Sequence, residues 1–331
     1  MAQPDLRIGA HNRRMITLDV SELLSHSHLV RFATNVGERD ALYQRFRRGE
    51  LTRALRGCYV YATYWAELAP RDRHRALAQL SALAFGYDLV FSHRTAAALW
   101  RLPVLGAWPA RVHIAGTPGG GVHRSATLAR HTLGIEIASE LIDGLRVTPL
   151  AATVAQIAAS ERFAAGVVVA DAALRRATHP LPSLHSSVTR EDLVTAASKV
   201  SLNHGGARAL SVAVFADGRA DRPGESLSRA NMLAAGVAKP ELQVELRGAS
   251  GNKYFADFYW REHRLIGEFD GAAKYSDPEF LRGRTPAEAL LDEKAREDDL
   301  RAADHRFSRW GWNVALSPAR LGAQLRVAGL R

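Results

Sequence analysis

At 331 residues and 47% hydrophobic content the chain has material for two or three packed cores, which excludes a disordered tail or one small module. The net charge of +10 favours polyanionic partners, although lysine supplies only five of the 44 basic residues and the arginine excess is in part compositional. Cys58 stands alone, so no internal disulfide and no cysteine-built zinc site can form. No apolar run approaches the roughly 20 residues that cross a bilayer, and no apolar signal-peptide core lies near Met1, so a soluble, cytoplasmic protein without membrane partners is expected.

Three parts succeed one another, with expected borders near residues 70 and 180. In the first, Glu38 to Arg48 gathers Leu42, Phe46 and Tyr43 toward one helical face and leaves Arg39, Arg45, Arg47 and Arg48 largely elsewhere. Gly49 to Val60 then alternates like a two-stranded hairpin with a glycine at its bend. With Arg53 and Arg56, residues 39 to 56 hold six arginines against Asp40 and Glu50, an excess of four positive charges. A helix of this shape fits the DNA major groove and a basic hairpin grips phosphates, the geometry of a winged helix-turn-helix on double-stranded DNA. The segment resembles the winged helix of AbiEi-type antitoxins, on Arg47-Arg48-Gly49-Glu50-Leu51 and Arg56-Gly57-Cys58-Tyr59-Val60. Ser92-His93-Arg94-Thr95-Ala96 with Leu99-Trp100 is similar to that family's next block, and the likeness runs from about residue 12 to 175. It implies an α/β subdomain over 71–180, control of an operon's transcription, and a cognate toxin protein as a partner.

Residues 85 to 175 alternate brief strand patterns with alanine-rich helical ones. Gly116 to Gly121 lacks the Gly-Lys-Ser/Thr ending of a phosphate loop, and between the strand-like runs 112–115 and 126–130 it is expected as a hairpin turn. His113, His123 and His131 fall near it. Without cysteine or acidic companions at ligand spacing, they are expected as surface or core histidines rather than metal ligands. Arg176 to Ser187, rich in Pro, Ser and His, reads as a connector. Thr189 and Asp192 then open a helix as a capping box, and Asn203-His204-Gly205-Gly206 is expected to end it.

The third part, 181–331, carries the chemistry. Tyr254 to Trp260 is strand-like and holds Asp257. After a short polar turn, Arg264 to Phe269 forms a second strand holding Glu268, with Asp270 just beyond it and Gly271 as the breaker. A spacing of two puts Glu268 and Asp270 on one face, so three carboxylates converge at one end of a hairpin. Crowded carboxylates repel, and Mg²⁺ or Mn²⁺ is the usual remedy, because hard cations take oxygen ligands and keep positions open for a phosphate. Lys274 follows one short turn later, placed to steady a developing charge.

This stretch resembles the PD-(D/E)XK nuclease superfamily, and within it the very-short-patch-repair-like branch, over about residues 221 to 316. The resemblance makes Glu225, in Arg222-Pro223-Gly224-Glu225, the branch's helical glutamate, Asp257 and Glu268 the strand acids, 293–300 the charged helix and 310–316 the closing strand. Asp270 stands two residues after the acid, where the superfamily motif has lysine, which leaves the lysine role to Lys274 or to no residue. The implied fold is a multidomain α+β / α/β chain: a winged helix, an α/β middle part, and a restriction-endonuclease-like domain with a central mixed sheet. The implied site binds Mg²⁺ or Mn²⁺ through Asp257, Glu268 and Asp270, with Glu225 and Lys274 assisting catalysis. Two functions remain open: a metal-dependent DNA nuclease targeted by its winged helix, or a DNA-binding repressor or antitoxin whose nuclease-like domain is inactive.

Overall fold

The computed structural model describes residues 18–29, 35–116, 126–132, 138–271 and 285–330. They form a mixed α/β protein with three sheets. Two compact units emerge, residues 1–99 with 107–148 and residues 100–106 with 149–331. The helical run 150–175, read from the sequence with the middle part, packs in the second unit. No described helix is long and apolar enough to cross a membrane.

The first unit begins with α1 (Val20–Ser25), capped by the Asp19 carboxylate, and β1 (Ser27–Leu29). Asn35 then caps α2 (Val36–Arg47), which runs into the hairpin β2 (Leu51–Leu55) and β3 (Cys58–Tyr61). The hairpin turns at Arg56-Gly57, where Gly57 is left-handed at φ 76°. β1 adds to the free edge of β3, giving a three-stranded antiparallel sheet in the order β1-β3-β2. α3 (Ala62–Glu67) and α4 (Pro70–Phe85), which starts on a proline suited to a first helical turn, close a core of Leu23, Leu55, Cys58, Val60, Leu68 and Leu80.

The same unit holds a five-stranded mixed sheet of β4 (Val90–Phe91), β5 (Val112–Gly116), β6 (Leu128–Thr132), β7 (Glu140–Ile142) and β8 (Leu145–Val147), in the order β6-β5-β4-β8-β7. α5 (His93–Leu99) follows β4. Arg75 of α4 ties to Asp72 at 2.9 Å and to Asp143, in the β7–β8 turn, at 2.8 Å. β5 and β6 run parallel, which corrects the expected hairpin at Gly116 to Gly121, since parallel neighbours need a connection that carries the chain back along the strand. Residues 117–125, including His123, lie outside the described residues.

The second unit opens with α6 (Leu150–Ser160) and α7 (Phe163–Arg175), both apolar enough to be buried on most of their surface. The capping box of Thr189 and Asp192 starts α8 (Arg190–Ser198). The helix stops there, earlier than expected: residues 202–204 make a single tight turn and Gly206 begins α9 (Gly206–Phe215). Then come α10 (Pro223–Ala234), β9 (Glu241–Arg247), β10 (Lys253–Trp260), β11 (Leu265–Phe269), α11 (Pro286–Ala302), β12 (Arg306–Trp310), α12 (Trp312–Ala315) and α13 (Pro318–Val327).

The sheet order is β12-β11-β10-β9, antiparallel except for the parallel pair β11–β12. Phe258, Trp260, Phe269 and Trp310 pack on one face with Leu227, Leu321 and Leu325, while Tyr259 and Ile266 pack on the other with Leu300. The expected closing strand 310–316 is corrected. The strand is Arg306–Trp310, and Trp312–Ala315 is helical, because Gly311 ends the pairing and Asp270 N–H donates to the Trp310 carbonyl at 2.9 Å.

Candidate functional site

Strand register assembles the site. Ala256 pairs with Val244 and Phe258 with Leu242, so Asp257 lies level with Gln243; Phe258 pairs with Gly267, so Glu268 lies level with Asp257; and Glu268 pairs directly with Arg309. A row Gln243–Asp257–Glu268–Arg309 therefore crosses all four strands. The row coincides with an irregularity. Ala256 packs in one core and Phe258 in the other, so β10 changes face at Asp257, opposite Gln243, whose φ of 50° distorts β9 without ending it. A left-handed glutamine costs about 1 kcal/mol, and such strain gathers at functional positions.

Two glycines allow the approach of the elements around this row. A Cβ on Gly224 would stand 2.1 Å from the Phe269 ring, so only glycine lets the first turn of α10 reach the end of β11 and deliver Glu225. A Cβ on Gly267 would meet the Trp310 indole at 2.7 Å and Trp260 at 2.9 Å, so glycine beside Glu268 lets the two indoles close under the site.

Glu268, Asp270 and Glu293, the last from α11, offer carboxylate oxygens all within 4.8 Å of one another. Two arginines stand among them. Arg309 approaches Glu268 at 2.9 Å, Glu297 at 3.0 Å and Asp270 at 3.5 Å, and it also pairs with Glu293; Arg296 pairs with Glu268. Burial opposes the charge on Arg309, but Glu268, Glu293 and Asp270 outweigh it and hold the guanidinium firmly protonated. Four carboxylates against two guanidiniums leave an acid excess, and oxygen donors so spaced suit a hard divalent cation.

Glu225 is buried nearby, its carboxylate accepting from Asp221 N–H at 2.8 Å and from the Gln243 side-chain amide at 3.3 Å. Burial first, then the charge of Asp257, pushes it up to about 8, which favours its protonated form. Asp257 itself accepts from Phe269 N–H at 3.1 Å, which pins the carboxylate to the end of β11.

Of the residues singled out in the sequence, Glu225, Asp257, Glu268 and Asp270 meet at this end of the sheet. Lys274 lies outside the described residues. Sequence reasoning placed 293–300 on the charged helix but did not give Glu293, Arg296 and Glu297 a place in the site, and it missed Arg309 and Gln243. The spacing of 293, 296 and 297, one helical face, was a usable signal. Arg309 had none, because its place depends on a parallel pairing across nearly 40 residues.

The arginines of the first unit are disposed differently. Arg39, Arg47, Arg48, Arg53 and Arg56 are exposed, while Arg45 is half-buried 5.1 Å over the Tyr61 ring. Glu50 draws in Arg45 at 3.1 Å and Arg48 at 2.7 Å, which holds its carboxyl below the usual range. Phe46 packs 5.5 Å from Tyr59 and Leu42 lines a cleft with Leu24, Leu29 and Leu83, but Tyr43 is 49% exposed and α2 buries no residue fully.

No protein-family model matches the chain. Two uncharacterised proteins of Mycobacterium tuberculosis, from strains CDC 1551 / Oshkosh and ATCC 25618 / H37Rv, are each 30% identical to it over 145 residues, 44% of this chain and 50% of each relative. The chain thus spans about half the length of the curated relatives it matches.

Proposed function

We propose that the chain is a DNA-binding protein whose second unit hydrolyses phosphodiesters with Mg²⁺ or Mn²⁺. The observation that carries this reading is the row of Asp257 and Glu268 across the sheet, joined by Asp270 and Glu293 and approached by the buried Glu225. Such a donor set fits a hard cation. Glu268, Asp270 and Glu293 would hold it, with Asp257 alongside, and when bound it would supply Lewis-acid polarisation of a phosphate oxygen. The chain's own groups divide the remaining work. Glu225 keeps a proton at its carboxyl and can donate it in a hydrogen bond, and Arg309 carries a fixed positive charge beside the acids that can lean toward phosphate. Lys274 is retained as the candidate for steadying the leaving charge.

Residues 36–61, a helix followed by an antiparallel hairpin bearing exposed arginines, support a winged helix-turn-helix that holds double-stranded DNA. A second reading, a repressor or antitoxin of an AbiE-like operon with an inactive nuclease-like unit, draws on one observation: Arg309 and Arg296 already neutralise part of the acid charge that a metal would need. Incubation of the purified protein with single-stranded, duplex, nicked and mismatched DNA in Mg²⁺ or Mn²⁺ separates the two. Cutting that EDTA abolishes supports the nuclease; no cutting of any form, with tight binding to its own promoter, leaves the repressor.

A further inference from the structure

Outside the acidic site, three imidazoles meet in the first unit from elements far apart in the chain. His93 begins α5, His113 lies on β5 and His131 on β6, the edge strand. The parallel register sets His113 beside Ala129 and Ala115 beside His131, so the two histidines sit two residues apart along one face. Ring centroids of His113 and His131 are 4.9 Å apart, and His93 stacks on His131 at 3.7 Å with an interplanar angle of 23°. His131 Nε2 and His113 Nδ1 are 3.3 Å apart. Two imidazole nitrogens bound to one tetrahedral zinc at 2.0–2.1 Å would stand about 3.3–3.4 Å apart, so this pair is already at ligand spacing.

Two further features favour a site over a chance meeting of core side chains. His93 is held at φ 49°, a conformation costing about 1–2 kcal/mol in a residue with a side chain, and its Nδ1 is steadied 3.1 Å from the buried Ser92 hydroxyl. The donor set contains nitrogen and no carboxylate, which selects against Mg²⁺ and for the zinc class of ions.

We propose that His93, His113 and His131 form a binding site for one zinc-class divalent ion. His113 and His131 grip it first, and His93 joins by turning its ring out of the stack on His131, leaving a fourth position for water or an exogenous ligand. The site is separate from the acidic cluster and does not depend on nuclease activity.

The full chain, stripped of metal and titrated with Zn²⁺ by calorimetry, should take up one equivalent at this site. His113→Ala and His131→Ala should each weaken that binding by at least about 100-fold, whereas Glu268→Gln should change it by less than about threefold. A readout that needs no variant is the ¹⁵N spectrum of the wild-type imidazoles, in which His93, His113 and His131 should shift together as one equivalent of Zn²⁺ is added. No zinc uptake, uptake lost with Glu268→Gln but kept in the histidine variants, or imidazole signals that stay put would each overturn the proposal.

Discussion

Arginine is used in opposite ways in the two units. On α2 and the β2–β3 hairpin most arginines point to solvent, with Glu50 the acid that engages two of them; at the end of the β9–β12 sheet, Arg296 and Arg309 are sunk among four carboxylates. An exposed guanidinium contributes little to folding and stays available to a phosphate. Arg296 and Arg309 are only half-buried, but they are tied to the buried Glu268, so removing either strands a carboxylate that water no longer solvates. The same side chain is a ligand-binding group in one place and a structural counter-ion in the other, and the number of acids around it decides which.

The largest effect that would sharpen this contrast is on stability. Arg309→Ala should destabilise the second unit by up to about 3–5 kcal/mol in denaturant unfolding, as expected when the partner of the buried Glu268 is lost from a partly buried ion-pair network. Added Mg²⁺ should recover part of that loss in the variant, since a divalent cation can take over the acids; a variant as stable as the parent would contradict the counter-ion role.

A smaller loss, about 1–3 kcal/mol, is expected for Gly224→Ala, whose new methyl must displace the Phe269 ring 2.1 Å away. Thermal unfolding tests the loss, and any nuclease activity should fall further than stability does, because α10 carries Glu225.

On the exposed side, Arg45→Ala, Arg47→Ala and Arg48→Ala combined should leave stability within about 1 kcal/mol while weakening DNA binding and flattening its salt dependence by about one counterion per lost phosphate contact. An unchanged salt slope would remove the reading of α2 and its hairpin as a DNA grip.

A further effect concerns pH. The folded state raises Glu225 from 4.5 to about 8, so the stability linked to its proton is present below 4.5 and is lost as pH rises through 8. Glu225→Gln, which keeps the shape and the acceptor for Asp221 N–H, should flatten the decline in thermal stability between pH 5 and 9, as followed by circular dichroism. A decline identical to that of the parent would mean that Glu225 is charged at neutral pH.

Much of this was legible in the chain. The alternation around Asp257 and Glu268, the proline before Glu225, the capping box at Thr189, and the helix–hairpin run around Gly57 are local patterns, and local physics sets them. What escaped was set by partners distant in sequence. The direction of β6 against β5, the strand at 306–310 that carries Arg309, and the meeting of His93 with His131 depend on which strand pairs with which, and no window of neighbouring residues encodes that. The closing strand was expected a few residues late because Trp310 and Trp312 flank Gly311, and both sides of the glycine read equally well as apolar strand.

The most direct test measures binding and cleavage of the same labelled DNA by the wild-type chain and Glu268→Gln, each with Mg²⁺, Mn²⁺ and EDTA. We expect metal-dependent cutting by the wild type, at least about 1,000-fold less by the variant, and equal or tighter DNA binding by the variant, because one acid fewer repels the phosphates. Equal cutting by both proteins, or none by either with either ion, would contradict a metal-dependent nuclease built on Glu268.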